Sequence, residues 1–390
     1  MRTIDRFVGI PLCWLAGLFL KTLRPGIGRR SDSRWNTILV IKFFGMGSIL
    51  LSTPFLSALR RHAPQARIVY LSFSANRELI ERFPEVDRTL TISTASPLSF
   101  IRDTLSAILS LRRMSVDTAF DLEFFSKFST LVASLSGAQV RVGFSLPALW
   151  RRINLTHPVP FAHSTHATQL FLTQLSQFTR DLQPADVRTL ASDPKEQQSM
   201  KRKLRLESDG FTIIAININA GQASLERRWD PDQFMEVAMR LMERVDSPRL
   251  FFTGSLAEFG YISRALERYP QLHPVSMNCA GLLNIGELIA LFERTAVFLT
   301  NDTGPMHLAA SVGTPVVALF GPESPEFYSP TGTTRIIYKR LACSPCLNVY
   351  NAKLFVCPYN ARCMKEISAT EVLEAVSSLL PSLTPEPERV

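Results

Sequence analysis

The chain lacks the marks of several common enzyme classes. There is no G-x-S-x-G nucleophile elbow and no Walker A lysine loop, so an α/β-hydrolase and a P-loop NTPase lose their usual sequence basis. A full G-x-G-x-x-G is missing too. Gly45-Met46-Gly47 has no third glycine, which argues against a dinucleotide redox enzyme. Zinc-finger, RNP and basic-zipper patterns are absent and the basic residues are dispersed, so nucleic acid is not an expected partner. The apolar run at residues 7–20 is interrupted by Pro11 and Gly17. As a helix it would reach only about 21 Å, short of the roughly 30 Å hydrocarbon core. No small-x-small cleavage site follows it.

What is present points to an acidic partner. The 390 residues carry a net charge of +9, which favours anionic lipid, phosphorylated glycan or nucleotide. Arg2 and Arg6 precede the apolar run, and Lys21, Arg24, Arg29, Arg30 and Arg34 follow it. Residues 1–34 are therefore expected to form a short hydrophobic helix, an interfacial anchor on anionic headgroups. The alternative is a helix packed on the protein itself. The positive flank places the body on the cytoplasmic side, peripheral on the inner face of the cytoplasmic membrane.

From Thr37 the pattern alternates between strand and helix. Residues 38–43 read as a buried parallel strand with Lys42 inside it, Gly45 and Gly47 as a turn, and residues 48–62 as one helix. Further strands are expected at 67–73, 88–92, 118–123 and 140–144, with helices at 76–83, 98–113 and 126–136. Residues 150–163 look irregular, and 181–194, polar with two prolines, read as a linker. A second half repeats the alternation. It has strands near 211–218, 250–253 and 335–339, and helices at 195–206, 231–245, 257–268, 285–293 and 369–380. The expected domains are 1–34, a Rossmann-like half over 35–183, a second over 195–380, and a disordered Pro- and Glu-rich tail over 381–390.

The stretch 298–321, FLTNDTGPMHLAASVGTPVVALFG, reads as strand, polar turn, helix and strand. Pro305 suits the first helical turn and Gly313 its end. Such a helix start offers backbone N–H groups and the positive end of a dipole to an anion, usually phosphate. Near the C-terminus, Cys343, Cys346, Cys357 and Cys363 allow a structural metal site or a set of reduced thiols.

Residues 301–310, NDTGPMHLAA, followed by 313–322, GTPVVALFGP, closely resemble the signature of family 9 glycosyltransferases, the heptosyltransferase family. Ile38-Leu39-Val40-Ile41-Lys42 with Gly45, Gly47 and Pro54 is similar to the family's first strand and helix. Asn219-Ala220-Gly221 with Arg227-Arg228-Trp229, Gly254 with Glu258, and the cysteine tail agree in order. The resemblance implies a GT-B fold, two doubly wound Rossmann-like domains facing a cleft. It also implies inverting, metal-independent transfer of a heptose-like sugar without a cofactor. The donor would be a nucleotide-diphosphate sugar such as ADP-heptose, and the acceptor a lipopolysaccharide or other lipid-linked glycan.

The resemblance assigns Asp302, Thr303, Gly304, Pro305, His307, Arg227, Glu258 and Gly221 to the donor, and Lys42, Gly47 and Lys127 to the acceptor side. Thr303 and Gly304 would give N–H groups to the diphosphate, and Arg227, where the family usually has lysine, would hold a phosphate bidentately. Asp302 would shape the turn or receive a sugar hydroxyl, and Glu258 would bind ribose. One position departs. The family's first turn reads Gly-Asp, with Asp as candidate general base; here it is Gly47-Ser48. A serine hydroxyl is no base near neutral pH without a partner. Glu123, among Phe124, Phe125 and Phe128, is the proposed substitute, since desolvation would raise its pKa; the alternative is a structural pair with Lys42 or Lys127. The departure also motivates a second function, a catalytically lapsed sugar-nucleotide or glycan-binding scaffold. A sugar-nucleotide epimerase is a third, less favoured because a soluble substrate needs no membrane anchor.

Overall fold

The computed structural model describes residues 35–145, 151–162, 164–180, 182, 187, 189–206, 208, 210–221, 224–348, 351 and 356–380. The expected N-terminal anchor and C-terminal tail lie outside them. Among the described residues no helix is long and apolar enough to cross a membrane. The chain divides into two compact units, with the boundary between residues 187 and 188.

The first unit holds a six-stranded parallel sheet in the order β3-β2-β1-β4-β5-β6. Its strands are β1 (Thr37–Ile41), β2 (Arg67–Phe73), β3 (Arg88–Ile92), β4 (Thr118–Asp121), β5 (Val140–Ser145) and β6 (His157–Pro160). The helices are α1 (Met46–Leu50), α2 (Thr53–His62), α3 (Arg77–Ile80), α4 (Pro97–Arg113), α5 (Lys127–Leu135) and α6 (Ala167–Leu172). β1 is apolar along its whole length and fully covered, as a central parallel strand must be. Two expectations are corrected here. The single helix over 48–62 is two helices. Pro54 has no N–H and would clash with the Leu50 carbonyl, which instead accepts from Thr53 Oγ1 at 2.7 Å. The irregular stretch contains β6, whose Pro158 and Pro160 are tolerated because it is an edge strand.

The second unit repeats the plan with the order β12-β11-β10-β7-β8-β9, again all parallel. Its strands are β7 (Thr212–Asn217), β8 (Pro248–Phe252), β9 (Ser276–Asn278), β10 (Thr295–Asn301), β11 (Val316–Phe320) and β12 (Thr334–Tyr338). Around them lie α7 (Pro194–Leu204), α8 (Pro231–Arg244), α9 (Phe259–Glu267), α10 (Ile285–Glu293), α11 (Gly304–Val312), α12 (Pro325–Tyr328), α13 (Arg362–Lys365) and α14 (Ala369–Ser377). Asp193 caps α7 through a reciprocal box with Glu196, Asp230 caps α8, and Gly313 ends α11 at φ 91°.

Counted within each sheet, both orders are 3-2-1-4-5-6. The chain reverses direction between the first and fourth strands, and a crevice opens at their carboxyl ends. In the first unit that point is β1/β4, and in the second β7/β10.

Candidate active site

The β7/β10 switch point gathers most of the expected donor residues. The Asn301 side chain ties the two loops together. Its Nδ2 donates to Asn219 O at 3.1 Å, and its Oδ1 accepts from Trp229 N at 3.0 Å. Trp229 is buried, meets the Phe234 ring edge-on at 4.8 Å, and donates Nε1–H to Ile367 O. This fixes the 3₁₀ turn Leu225–Arg227. Arg227 reaches from there to β10. Nη1 donates to Asp302 O at 3.1 Å and Oδ2 at 3.3 Å, and Nη2 to Ala220 O at 2.9 Å. Its Nε is buried without a hydrogen-bond partner among the described residues. Beside Asp302 begins α11. Thr303 is its N-cap but makes no side-chain cap hydrogen bond, and its hydroxyl lies 3.1 Å from Thr300 Oγ1. An uncapped helix start next to a guanidinium brings N–H donors and a positive charge to one place. Pro305 and the buried His307 occupy that first turn. Gly221 has φ 66°, and a Cβ there would meet nothing within 4 Å, so backbone conformation rather than space favours glycine.

A further acidic group stands one residue past the motif that ends at Pro322. Glu323, past the end of β11, is 8% exposed and accepts from Ser324 N at 3.1 Å. Burial and the Asp302 charge push its carboxyl up to about 8, against the pull of the Ser324 N–H and Arg227. Burial raises Asp302 too, opposed by Arg227. Two buried carboxyls thus share one cation, an arrangement able to offer a sugar both a hydrogen-bond acceptor and a donor. A pH signature follows. Between the ordinary carboxyl value of 4.5 and about 8 the folded chain keeps a proton that the unfolded chain has lost. Stability therefore falls as pH rises through that window and levels off above it. Glu323→Gln is expected to remove this slope, with Tm a few degrees above the parent near pH 9 and little changed near pH 4. Identical Tm–pH curves for the two proteins would refute the buried acid.

Glu258, the expected ribose ligand, is engaged locally at the start of its 3₁₀ turn. Its Oε2 accepts from Ser255 N and Oγ, both at 2.8 Å, closing a capping box. Gly254 lets the loops approach, since a Cβ there would stand 2.9 Å from Asn219 Nδ2 and 3.2 Å from Glu258 Oε2. Asn219 Oδ1 is buried and unpartnered among the described residues. Exposed Leu256 and Phe259 flank Glu258, and Leu256 backbone packs against Gly281. This apolar rim carries no motif and was not anticipated.

At the β1/β4 switch point Glu123 is 5% exposed. Its Oε1 accepts from Lys42 Nζ at 3.0 Å, Phe43 N at 2.6 Å and Phe44 N at 2.9 Å. The pairing with Lys42, named as the alternative, is the one present, and Lys42 also lies 5.5 Å from the Phe124 ring centre. Glu123 Oε2 accepts no hydrogen bond among the described residues. Gly47 and Ser48 follow in α1, Ser48 half-buried, and Lys127 is buried at the start of α5. Beneath them lies a network the sequence hid. Arg151, fully buried, donates Nη2 to Asp121 Oδ2 at 2.5 Å, Nε to Thr130 Oγ1 at 2.6 Å, and Nη1 to Glu123 O and Phe124 O. Ser129 and Thr130 also donate to Asp121, whose carboxyl burial raises against the pull of Arg151. Arg151 therefore holds the backbone that carries Glu123.

The four cysteines near the C-terminus are all free thiols among the described residues. Among the described residues no group of three or more His, Cys, Asp or Glu is disposed to hold a metal ion. Cys357 Sγ accepts from Ala361 N at 3.3 Å, while Cys363 is buried under Gly321, where a Cβ would come within 3.0 Å of its Sγ. Burial and the neighbouring thiols push Cys346 and Cys363 each up to about 11.

Known proteins match this description. The model of glycosyltransferase family 9 (heptosyltransferase) matches residues 105–354. Lipopolysaccharide heptosyltransferase 3 of Escherichia coli K12 is 26% identical over 361 residues, 88% of this chain and 98% of that protein. Among solved structures, a family 9 glycosyltransferase from Veillonella parvula superposes with a TM-score of 0.72 at 22% identity, covering 91% of this chain and 99% of its own. The E. coli ADP-heptose LPS heptosyltransferase II gives 0.70 at 22% identity, covering 88% and 98%. The structural likeness is one of fold, and that fold is GT-B with its pair of Rossmann-like units.

Proposed function

The chain belongs to glycosyltransferase family 9, the heptosyltransferase family, and is a glycosyltransferase; we propose that it moves heptose from an ADP-heptose-like donor to a lipopolysaccharide core or related cell-surface glycan. The observation that carries this reading is the uncapped first turn of α11 beside Arg227, Asp302 and Glu323. The N–H groups of the turn and the guanidinium take the donor diphosphate, while Asp302 and Glu323 address sugar hydroxyls. Leu256 and Phe259 lie against the base, and Glu258 and Asn219 against ribose.

The reaction is a single inverting displacement. The acceptor hydroxyl oxygen attacks the anomeric carbon as its bond to the diphosphate oxygen breaks. The hydroxyl proton passes to a base, and the nucleoside diphosphate leaves with its charge held by Arg227 and the α11 N-terminus. No cofactor takes part, and these groups replace a divalent cation. Glu123 Oε2 is the proposed proton acceptor, with Lys42 and the turn through Gly47 and Ser48 on the acceptor side. Glu123→Gln tests that role, because glutamine keeps an oxygen for the Phe43 and Phe44 N–H groups and loses the base. We expect kcat to fall about 10²–10⁴-fold with Tm little altered; turnover within threefold of the parent would leave Glu123 a structural residue alone.

The decisive assay is transfer of labelled heptose from ADP-heptose to truncated lipopolysaccharide, with and without EDTA. Product that forms equally with chelator, and with inverted anomeric configuration, is the expected result. Ser48 favours one competing reading, a lapsed scaffold; that protein would bind the donor and release no nucleoside diphosphate. The protein is proposed to work peripherally on the inner face of the cytoplasmic membrane, where a lipid-linked acceptor is accessible.

A further inference from the structure

Helix α4 is apolar on both sides. Inward, Ala107 and Leu111 are buried in the core under β1 and β2, with Phe100 and Ile108 packed against it. Outward, Leu98, Ile101, Leu105 and Leu109 are 78, 56, 58 and 54% exposed. Their spacings of three, four and four residues put them in one stripe along the helix. A surface helix ordinarily turns a polar face to water. Four aliphatic side chains in an unbroken row are instead a contact surface.

Charge selects the partner. Arg102, Arg112 and Arg113 are exposed around the stripe. The one acid on the helix, Asp103, is occupied by Arg102 at 2.9 Å and by Ser93 N at 3.1 Å. A second copy of this face would set arginines against arginines, whereas anionic headgroups complement them. Two features orient the stripe. Its N-terminal end lies at the carboxyl edge of the sheet, next to Ser93 just past β3. Exposed Phe44, beside the Gly45–Ser48 turn, belongs to the same edge. It connects through ring contacts with Phe73, Phe43 and Phe128, each about 5 Å, to Phe100 on α4 itself. At the other end, Asn36 N and Thr37 N donate to Asp117, four residues past α4.

We propose that the outward face of α4 is a bilayer-docking surface, lying in the headgroup–acyl boundary of an anionic membrane with its arginines on the phosphates. The Gly45–Ser48 turn then faces the membrane level from which a lipid-linked acceptor projects. The proposal stands on surface chemistry and holds whatever sugar is transferred.

The test uses the full chain with vesicles of phosphatidylethanolamine and phosphatidylglycerol, and with phosphatidylcholine vesicles as the neutral control. Hydrogen exchange over residues 97–113 of the unmutated protein is expected to slow when the anionic vesicles are added and to stay unchanged with the neutral ones. A quadruple variant, Leu98→Gln, Ile101→Gln, Leu105→Gln and Leu109→Gln, is expected to lose tenfold or more in partitioning while keeping its Tm. Exchange that ignores the vesicles overturns the proposal, including the case in which residues 97–113 are already protected by the chain's own N-terminal segment. A shift from dimer to monomer on making the variant, seen by sedimentation velocity in the absence of lipid, also overturns it and gives the face to a second copy. Because exchange is read on the parent protein, a variant that fails to fold leaves the decision intact.

Discussion

Arg227→Ala is expected to lower kcat/KM for transfer about a hundred- to a thousandfold, on the order of 3–4 kcal/mol of transition-state stabilisation. The guanidinium has two tasks at once. In the proposed mechanism it opposes the charge that builds on the departing diphosphate, and it pairs with Asp302, which is more deeply buried than Glu323. Without it, two carboxyls remain in a pocket with no cation, and both favour protonation. The loss should therefore fall on kcat more than on KM, since the leaving-group charge is largest in the transition state. Arg227→Lys is expected to recover part of the rate. A lysine carries the charge but cannot reach Asp302 O, Asp302 Oδ2 and Ala220 O with one planar fork. Steady-state kinetics at saturating acceptor, paired with the thermal shift produced by ADP, checks both points. An alanine variant within threefold of the parent in kcat/KM would remove Arg227 from the donor site.

Arg151→Met is expected to be the most damaging single change to stability, about 3–5 kcal/mol. Both Arg151 and Asp121 have fully buried side chains. Methionine fills much of the volume yet leaves Asp121 to be buried without its cation, and the Glu123 and Phe124 carbonyls without their Nη1 donor. Urea unfolding should show a lower midpoint at an unchanged slope. The double change Arg151→Met with Asp121→Asn should restore a good part of the loss, because the stranded charge is gone. If the single variant unfolds within 1 kcal/mol of the parent, or the double variant is worse than the single, the buried pair does not hold this loop.

Some of this could be read from the chain because the cause was local. The βαβ alternation follows from apolar runs and Gly-Pro punctuation, and the α11 start from Asn301 to Pro305 is one contiguous stretch. For Glu123 the sequence offered a structural pair with Lys42 or Lys127, and Lys42 is the partner it takes. What stayed hidden depends on residues distant in sequence. Arg151 lies in a stretch without periodicity, and its partners come from Asp121, Glu123 and Thr130. Glu323 became notable only because Asp302 and Arg227 converge on it from other loops. The outward stripe of α4 was legible as spacing, but only the packing of Ala107 and Leu111 reveals which face is left over. Glu258 shows the reverse: a Ser255–Glu258 capping box is a local signal that the ribose expectation passed over.

The shared strand order bears on how the protein is made. In each sheet the innermost pairing joins the first and fourth strands, so Ile38 must wait for Thr118, and Ile213 for Thr295. During translation β1 is therefore held as an unpaired apolar edge while about eighty further residues emerge, an exposure that ends only when β4 arrives. The first sheet is complete by Pro160, before any strand of the second has been synthesised. The ribosome thus delivers one closed sheet before it starts the next, and near-identical strand orders are kept from exchanging partners by the timing of their birth.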